Sequence, residues 1–468
     1  MDVGPNTGHL GMKLAFAVPD PRTFMLQRLF RLETHNTTAL REVQAGITTF
    51  AAMAYILAVN PDILANTGMD RGALVTVTAL TAAVATFLMA LLTNYPIALA
   101  PGMGINAFFT FTICLGAKVP WSEALGMVFV NGIIFFSLSL TGVRERIIAA
   151  IPVSLKIAVT CGIGLFIAFI GLKNGGVVVA DPATFVGPGD FTSGPTAVCL
   201  FGIILTAILV ARRVPGAIVV GIIITTVVGH FVPFGSGTVT ATPKGFVSLP
   251  ASAAPIFFKL TFQFLHSWVS FQKALPLILT LLLVDMFDNI GTLIGVTKRA
   301  GLLDSDGKLP RAGRALLADS IATVLSALSG TSTVVSYIES ASGVEAGGRT
   351  GLTTVTTGLL FLGALFFTPL ILCVPPAATA PALVIVGIFM MQSVIEIDMA
   401  EFATAAPAVI TIFAIPLTFS IAKGIGMGLI CASCLYIALG RAKSMPAIGY
   451  AVSVVFFLSF FKIWPFHG

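Results

Sequence analysis

The stretch from Gly330 to Gly351 has a composition that an ordinary membrane-spanning helix does not need. It reads GTSTVVSYIESASGVEAGGRTG and lies between apolar segments, yet it carries Glu339 and Glu345. Irregular backbone at membrane depth is tolerated only where it is buried in protein or lines a polar cavity, because lipid cannot satisfy free N–H and C=O groups. An ionisable residue at that depth indicates a functional site. We therefore expect an extended piece at 331–335 that leads into a short helix carrying Glu339.

Glu339 offers a carboxyl group that suits a flat, uncharged ligand. When ionised, a carboxylate accepts two N–H bonds from a planar heterocycle, and when protonated it donates one bond. A ligand that bonds to one of these forms favours it, so a single group can couple substrate binding to a proton. The alternative is a structural carboxyl group that pairs with a neighbouring Ser or Thr.

Two further acidic residues, Asp285 and Asp288, lie inside the apolar run LLLVDMFDNIGTLIGV. A spacing of three places both on one side of a helix, about one turn apart. An ionised carboxylate in hydrocarbon is costly, so we expect both to face the protein interior or a water-filled cavity. Either residue can instead have a structural role, as a carboxyl group that caps or bridges helices.

The other candidate ligand contacts are polar or aromatic. Asn106 follows Gly102 and Gly104 in YPIALAPGMGINAFFTFTICL and offers both donors and an acceptor. Phe50 and Tyr337 are candidates for stacking on a ring, although the 37 phenylalanines make simple packing the alternative for Phe50. Asn131, in an otherwise apolar crossing, is expected to form a hydrogen bond between helices.

The composition places these residues in an integral membrane protein. The 468 residues are 56% hydrophobic and 10% charged, whereas soluble domains have about a quarter charged residues. The net charge of +6 is explained by basic residues in short connections, which set membrane orientation, rather than by nucleic-acid binding. The six cysteines show no CxxC spacing and the five histidines no metal-ligand spacing, so we expect no metal and no cofactor. No nucleotide-binding or hydrolase motif indicates an enzyme.

A spanning helix needs about 20 apolar residues, and this length predicts about 14 crossings. The uninterrupted crossings are predicted at 44–64, 72–93, 121–141, 152–172, 196–211, 214–233, 275–297, 312–329, 351–373, 378–394, 404–421 and 424–441. The interrupted ones are 96–116 and 331–346, each placed third in its half. With about seven crossings per half, the second copy is inverted, and paired interrupted segments in inverted halves indicate a transporter's binding site.

The remaining segments complete the predicted organisation. Residues 1–43 form a tail with an interfacial helix at Pro21–Leu32, 234–274 a loop between the halves, and 442–468 an apolar end that either crosses or lies in the interface. Basic residues concentrate on the side of the N-terminus, which places that side in the cytoplasm and the 234–274 loop outside. No cleavable signal peptide is expected.

Several long motifs, in order and at matching spacing, resemble the azaguanine-type purine permeases, a branch of the nucleobase–cation symporters. They are ITTFAAMAYILAVNPDIL (47–64), NYPIALAPGMGINAFF (94–109), VDMFDNIGTLIGV (284–296), GTSTVVSYIESASGVEAGGRTGLT (330–353) and PALVIVGIFM (381–390). The resemblance implies the uracil-permease-like fold, with short strands at the start of segments 3 and 10. It also implies core segments 44–141 and 275–373, gate segments 152–233 and 378–441, and dimerisation through the gate.

The resemblance further implies proton-coupled uptake of purine nucleobases across the cytoplasmic membrane. Asp288, Glu339 and Asn106 match the family's acidic and polar residues in segments 8, 10 and 3. We predict Glu339, Asp288, Asn106, Tyr337 and Phe50 as substrate-binding residues, with Glu339, Asp288 or Asp285 linked to the proton. Adenine, guanine and hypoxanthine all stay open. An anion transporter of the same architecture is the main alternative, and a receptor or channel is a second one.

Overall fold

The computed structural model describes residues 27–141, 152–243, 245–302 and 309–461, and it is almost wholly helical. Within these ranges, nine helices are long and apolar enough to cross a membrane, and four shorter apolar helices accompany them. The first half contains α1 (Ala39–Met53), α2 (Ile56–Leu64), α3 (Arg71–Thr93), α4 (Met103–Ala107), which continues as π-helical turns over Phe108–Gly116, α5 (Trp121–Thr141), α6 (Val153–Asn174), α7 (Gly194–Ala211) and α8 (Ala217–Phe231). The second half contains α9 (Trp268–Arg299), α10 (Ala312–Ser329), α11 (Ser340–Glu345), α12 (Gly351–Ala364), α13 (Thr368–Cys373), α14 (Pro376–Met391), α15 (Phe402–Thr418), α16 (Ile421–Ala438) and α17 (Ala447–Phe460).

The two interrupted crossings begin as short strands that pair with each other. β1 (Leu99–Pro101) lies before α4 in the third crossing, and β6 (Val334–Ser336) lies before α11 in the tenth. The strands are antiparallel, with Leu99 opposite Ser336 and Pro101 opposite Val334. The prediction of strands at the start of segments 3 and 10 is therefore confirmed. Two small hairpins, β2–β3 (Val178–Asp181, Phe185–Pro188) and β4–β5 (Pro233–Phe234, Gly237–Thr238), lie in connections between helices.

Neighbouring side chains cover both outer edges of this ribbon. The Thr86 hydroxyl on α3 donates to the Leu99 carbonyl at 2.9 Å and accepts from the Leu99 N–H at 3.0 Å. On the other edge, Asn289 Oδ1 on α9 accepts from the Ser336 N–H at 2.9 Å. Open sheet edges do not occur at membrane depth, because their backbone groups would have no partner there. These side chains are what allows a two-stranded ribbon to exist inside a helical bundle.

The helices pack in two sets. The strand-bearing set holds the ribbon and pairs α10 with α5, α12 with α3 and α1, and α11 with α1. The flanking set pairs α6 with α14 and α15, α7 with α8 and α14, and α16 with α15. The division of the chain into core and gate segments stays a prediction.

The chain ends are described in part. Within Pro21–Leu32, the predicted interfacial helix, residues 1–26 lie outside the described ranges, whereas 27–30 form a helical turn. Phe30 and Leu32 are buried against Leu352, so this part packs on the protein. In the apolar end, α17 ends at Phe460 and residues 462–468 lie outside the described ranges.

A buried carboxylate far from the ribbon joins the first crossing to the eleventh. Glu42 on α1 is 0% exposed and accepts from the backbone N–H groups of Arg349 at 2.9 Å and Thr350 at 3.1 Å. Its Oε2 also accepts from the hydroxyls of Thr350 at 2.8 Å and Thr353 at 2.6 Å. These N–H groups lie at the start of α12, where a helix has unsatisfied donors and favours negative charge. Glu42 is therefore a helix cap with its bonding capacity filled.

Gly343 allows α11 to lie directly against α1. A Cβ at this position would come within 2.0 Å of Thr49 Oγ1 and 2.7 Å of the Ala45 carbonyl oxygen. Because the carbonyl belongs to helix backbone, it cannot move away without shifting α1. The close approach keeps the start of α11, and with it residue Glu339, against the first crossing.

We expect Gly343→Ala to destabilise the protein by about 1–3 kcal/mol, the usual cost of overpacking. Thermal unfolding of the detergent-solubilised protein measures this effect. The matched control is Gly363→Ala on α12, where a Cβ meets nothing within 4 Å. Equal unfolding temperatures for the two variants would show that the contact between α11 and α1 is not tight.

Candidate functional site

A cavity of about 1580 Å³ lies between the strand-bearing set and the flanking set. On one wall are Tyr55, Gly104, Asp288, Tyr337 and Glu339 of the strand-bearing set. The opposite wall is mostly apolar and includes Ile157, Val386, Phe389 and Met390 of the flanking set. The polar groups of the cavity therefore face an apolar surface across a space large enough for a small molecule.

The ribbon and the helix α9 place two carboxyl groups on this wall. Glu339 follows β6 and comes directly before α11, and Asp288 lies within α9. Both are half-buried and line the cavity. The carboxyl groups are close enough to interact electrostatically, and among the described residues none donates a hydrogen bond to Asp288. Because like charges repel, an N–H donor or a proton that arrives between them is favoured.

Tyr337 fixes the ribbon beside these carboxyl groups. Its hydroxyl donates to the Pro101 carbonyl at 2.6 Å, and its backbone N–H donates to the Ala98 carbonyl at 3.0 Å. The side chain is 4% exposed and lines the cavity. Tyr337 therefore ties the tenth crossing to the third at the site.

Tyr55, at the junction of α1 and α2, bonds to Glu339 directly. Its hydroxyl donates to Glu339 Oε1 at 2.7 Å. Thr48, Ala52 and Tyr55 all line the cavity, as residues at helical spacing on one face of the first crossing do. The carboxylate of Glu339 is thus held by a group from a different crossing.

Asp285 lies in a buried network and not on the cavity wall. Its Oδ2 accepts from Asn131 Nδ2 at 3.2 Å and its Oδ1 from Asn289 Nδ2 at 2.8 Å. Asn289 in turn accepts from the Ser336 N–H at the edge of β6. The predicted role of Asn131 as a bond between helices is confirmed. The network connects α5 through α9 to the strand that carries the site.

Asn106 and Phe50 are also placed away from the cavity lining. Asn106 is 0% exposed, and its Oδ1 accepts from the Ser332 hydroxyl just before β6. Phe50 packs edge-to-face against Phe361 with ring centroids 5.2 Å apart. The structure therefore brings Glu339, Asp288 and Tyr337 together and leaves Asn106, Phe50 and Asp285 one layer behind them.

The cavity opens toward one face of the molecule only. Its rim includes Arg213 and Pro215 in the connection between α7 and α8, and Ile395 and Glu396 after α14, all of which are exposed. On the opposite face the two helix sets are joined. There the Thr379 hydroxyl on α14 donates to Asp62 Oδ2 at 2.6 Å, and Arg71 Nη2 lies 2.7 Å from Asp62 Oδ1. The site is thus accessible from one side and closed on the other.

Two residues of the wall were missed from the sequence. Tyr55 was overlooked although the chain has only five tyrosines, and a rare polar aromatic within an apolar crossing is a usable signal. Phe389, on the opposite wall, has no comparable signal because it is one of 37 phenylalanines.

Comparison with known proteins gives the family. Residues 40–427 match the permease family. The chain belongs to this family. Guanine/hypoxanthine permease PbuG of Bacillus subtilis is 44% identical over 93% of this chain and 99% of that protein. Adenine permease AdeP of Escherichia coli is 42% identical over 93% of this chain and 95% of its own length.

A solved structure supports the fold of the permease. The transmembrane domain of a cyanobacterium bicarbonate transporter, BicA, aligns with a TM-score of 0.61 over 82% of this chain and 96% of that one. At 18% identity the likeness shows the fold alone. The predicted inverted-repeat membrane fold and the predicted family are confirmed, and the permease is a multi-pass transporter rather than an enzyme.

We expect Asn289→Leu to destabilise the permease by about 1–3 kcal/mol, because it leaves the Ser336 N–H without its acceptor at the ribbon edge. Thermal unfolding measures the effect. Asn66→Ala is the control, since the Asn66 amide donates only to the carbonyls of Asp62 and Ile63 in its own helix. A variant as stable as this control would mean that the ribbon edge does not need Asn289.

Proposed function

We propose that this permease takes up purine nucleobases in symport with protons across the cytoplasmic membrane. The observation that carries the proposal is the placement of Glu339 and Asp288 on one wall of a single cavity, at the break in the tenth crossing. The names of PbuG and AdeP, which share 44% and 42% identity with it, support purines as the substrate class. Whether adenine, guanine or hypoxanthine is preferred stays open.

The chemistry of the two walls suits a flat, neutral base. Purine rings present N–H groups at their edges, and each carboxylate oxygen accepts such a bond. The rings themselves are apolar above and below, as is the wall formed by Val386, Phe389 and Met390. A base bound here has its edge toward Glu339 and Asp288 and one face toward the flanking set. An anion, the alternative substrate, would meet two carboxyl groups at the same place.

Proton coupling follows from the same pair of groups. Two neighbouring carboxyl groups repel each other when both are ionised, and a proton that binds with the base removes this repulsion. We assign Asp285, Asn106 and Phe50 to positioning the ribbon and the first crossing, because each lies behind the wall. A proton-linked role for Asp285 stays a prediction.

Transport requires the site to open to each side in turn. We propose that the strand-bearing set is the core, which carries the base, and that the flanking set is the gate, through which two copies dimerise. The distribution of basic residues supports a cytoplasmic N-terminus, so the open face in this structure is the cytoplasmic one. The contact of Thr379 with Asp62 then belongs to the closed outer face and must break for the site to open outward.

We expect Glu339→Gln to abolish pH-dependent uptake while the protein still inserts in the membrane, since an amide cannot take up the proton. Labelled adenine, guanine and hypoxanthine are supplied at two external pH values to purine-permease-deficient cells that produce each variant. Asp398→Asn, which removes an exposed carboxylate in the connection after α14, is the control. Uptake by Glu339→Gln that keeps its pH dependence would remove Glu339 from the coupling.

We expect Asp288→Asn to weaken nucleobase binding by at least about tenfold, because a hydrogen bond to a charged group is replaced by a neutral one. Binding of labelled base to the purified protein measures the dissociation constant. Asp285→Asn is the comparison, and we expect it to lower the unfolding temperature more than the affinity. A wild-type dissociation constant for Asp288→Asn would contradict its role in the site.

A further inference from the structure

The Tyr55–Glu339 hydrogen bond determines how much of the Glu339 carboxylate faces the cavity. Tyr55 donates to Oε1 at 2.7 Å, and among the described residues no group donates to Oε2. A phenol hydroxyl has a single proton to donate, whereas a carboxylate has two accepting oxygens. One oxygen is therefore committed to the protein and the other is left for a ligand.

The protein holds this bond in place from both sides. Tyr55 is 2% exposed and belongs to the main hydrophobic core, so its ring cannot swing away from the wall. Glu339 comes directly before α11, and Gly343 keeps α11 in contact with α1 beside Thr49. The hydroxyl and the carboxylate are thus brought together by the packing of two crossings and not by a local turn.

We propose that Tyr55 is a specificity-determining residue of the nucleobase site; this inference rests on the proposed function. By occupying Oε1, Tyr55 limits Glu339 to one N–H group of the base. Guanine carries a ring N–H and an amino group side by side, whereas hypoxanthine has the same ring N–H without the amino group. A carboxylate with one free oxygen bonds the ring N–H of both bases alike, so the amino group of guanine gains nothing from Glu339.

Removing the hydroxyl changes this balance. In Tyr55→Phe both oxygens of Glu339 are open, and a carboxylate with two free oxygens accepts two parallel N–H bonds from one planar group. Guanine can supply both donors and hypoxanthine only one. The ring of Phe still fills the space of Tyr55 in the core, so the change is confined to the hydrogen bond.

The test compares the affinities of guanine and hypoxanthine for the purified full-length permease by competition against labelled hypoxanthine. We expect Tyr55→Phe to raise the affinity for guanine relative to hypoxanthine by at least about tenfold over the wild-type ratio. A ratio that stays at the wild-type value, or that moves toward hypoxanthine, would overturn the proposal.

Tyr337→Phe is the matched control. It also removes a hydroxyl from a buried tyrosine of the cavity wall, but this hydroxyl donates to the Pro101 carbonyl and not to Glu339. We expect its ratio of guanine to hypoxanthine affinity to equal that of the wild type, whatever its absolute affinities. An equal rise in both variants would show that loosening the wall, and not freeing Glu339 Oε1, changes the specificity.

A measurement on the unmodified protein tests the same idea if Tyr55→Phe does not fold. Wild-type affinities for guanine and hypoxanthine are expected to agree within about threefold, and a preference for guanine above about tenfold would overturn the proposal. The outcomes also separate the two levels of the argument. Wild-type protein that binds neither base refutes the proposed function, whereas binding of both bases with an unchanged ratio in Tyr55→Phe refutes only the role of Tyr55.

Discussion

Two short strands that meet inside a membrane protein must find every backbone hydrogen bond within the protein itself. β1 and β6 satisfy half of this requirement by pairing with each other. The other half falls on their outer edges, where Thr86 bonds to Leu99 and Asn289 bonds to Ser336. Lipid offers no substitute partner, so these bonds are a condition for the broken crossings to exist at all. The rest of the site is built on this ribbon.

The break in the tenth crossing is what brings a carboxyl group to the cavity. A continuous helix would have placed residue 339 within a closed ladder of backbone bonds, with its position set by helical spacing alone. Here β6 ends at Ser336, and Tyr337 anchors the chain to the third crossing through the Pro101 carbonyl. The chain then turns so that Glu339 meets Tyr55 from the first crossing. Position and partner are both consequences of the strand.

Buried acidic residues in this protein differ in how many hydrogen bonds they already have. Glu42 accepts from several backbone and hydroxyl groups at the start of α12, and Asp285 accepts from Asn131 and Asn289. Asp288 has no such donor among the described residues, and Glu339 has one, on a single oxygen. A carboxylate with its acceptor sites filled is part of the structure, whereas one with free acceptor sites beside a cavity can bind a ligand.

The sequence alone determined the membrane class, the inverted repeat, the two broken crossings and the importance of Glu339 and Asp288. Hydropathy reports span length directly, and a carboxylate or a β-branched run stands out within an apolar crossing. Which polar residues face the cavity was decided only by the tertiary structure. Asp285 and Asp288 lie three residues apart on one helix, yet one bonds to Asn131 and the other lines the cavity. The contact of Tyr55 with Glu339 joins residues 284 positions apart, and it depends on two crossings packing closely at Gly343. Spacing along the chain carries no information about such a contact, because it is set by how helices pack and not by the period of either one.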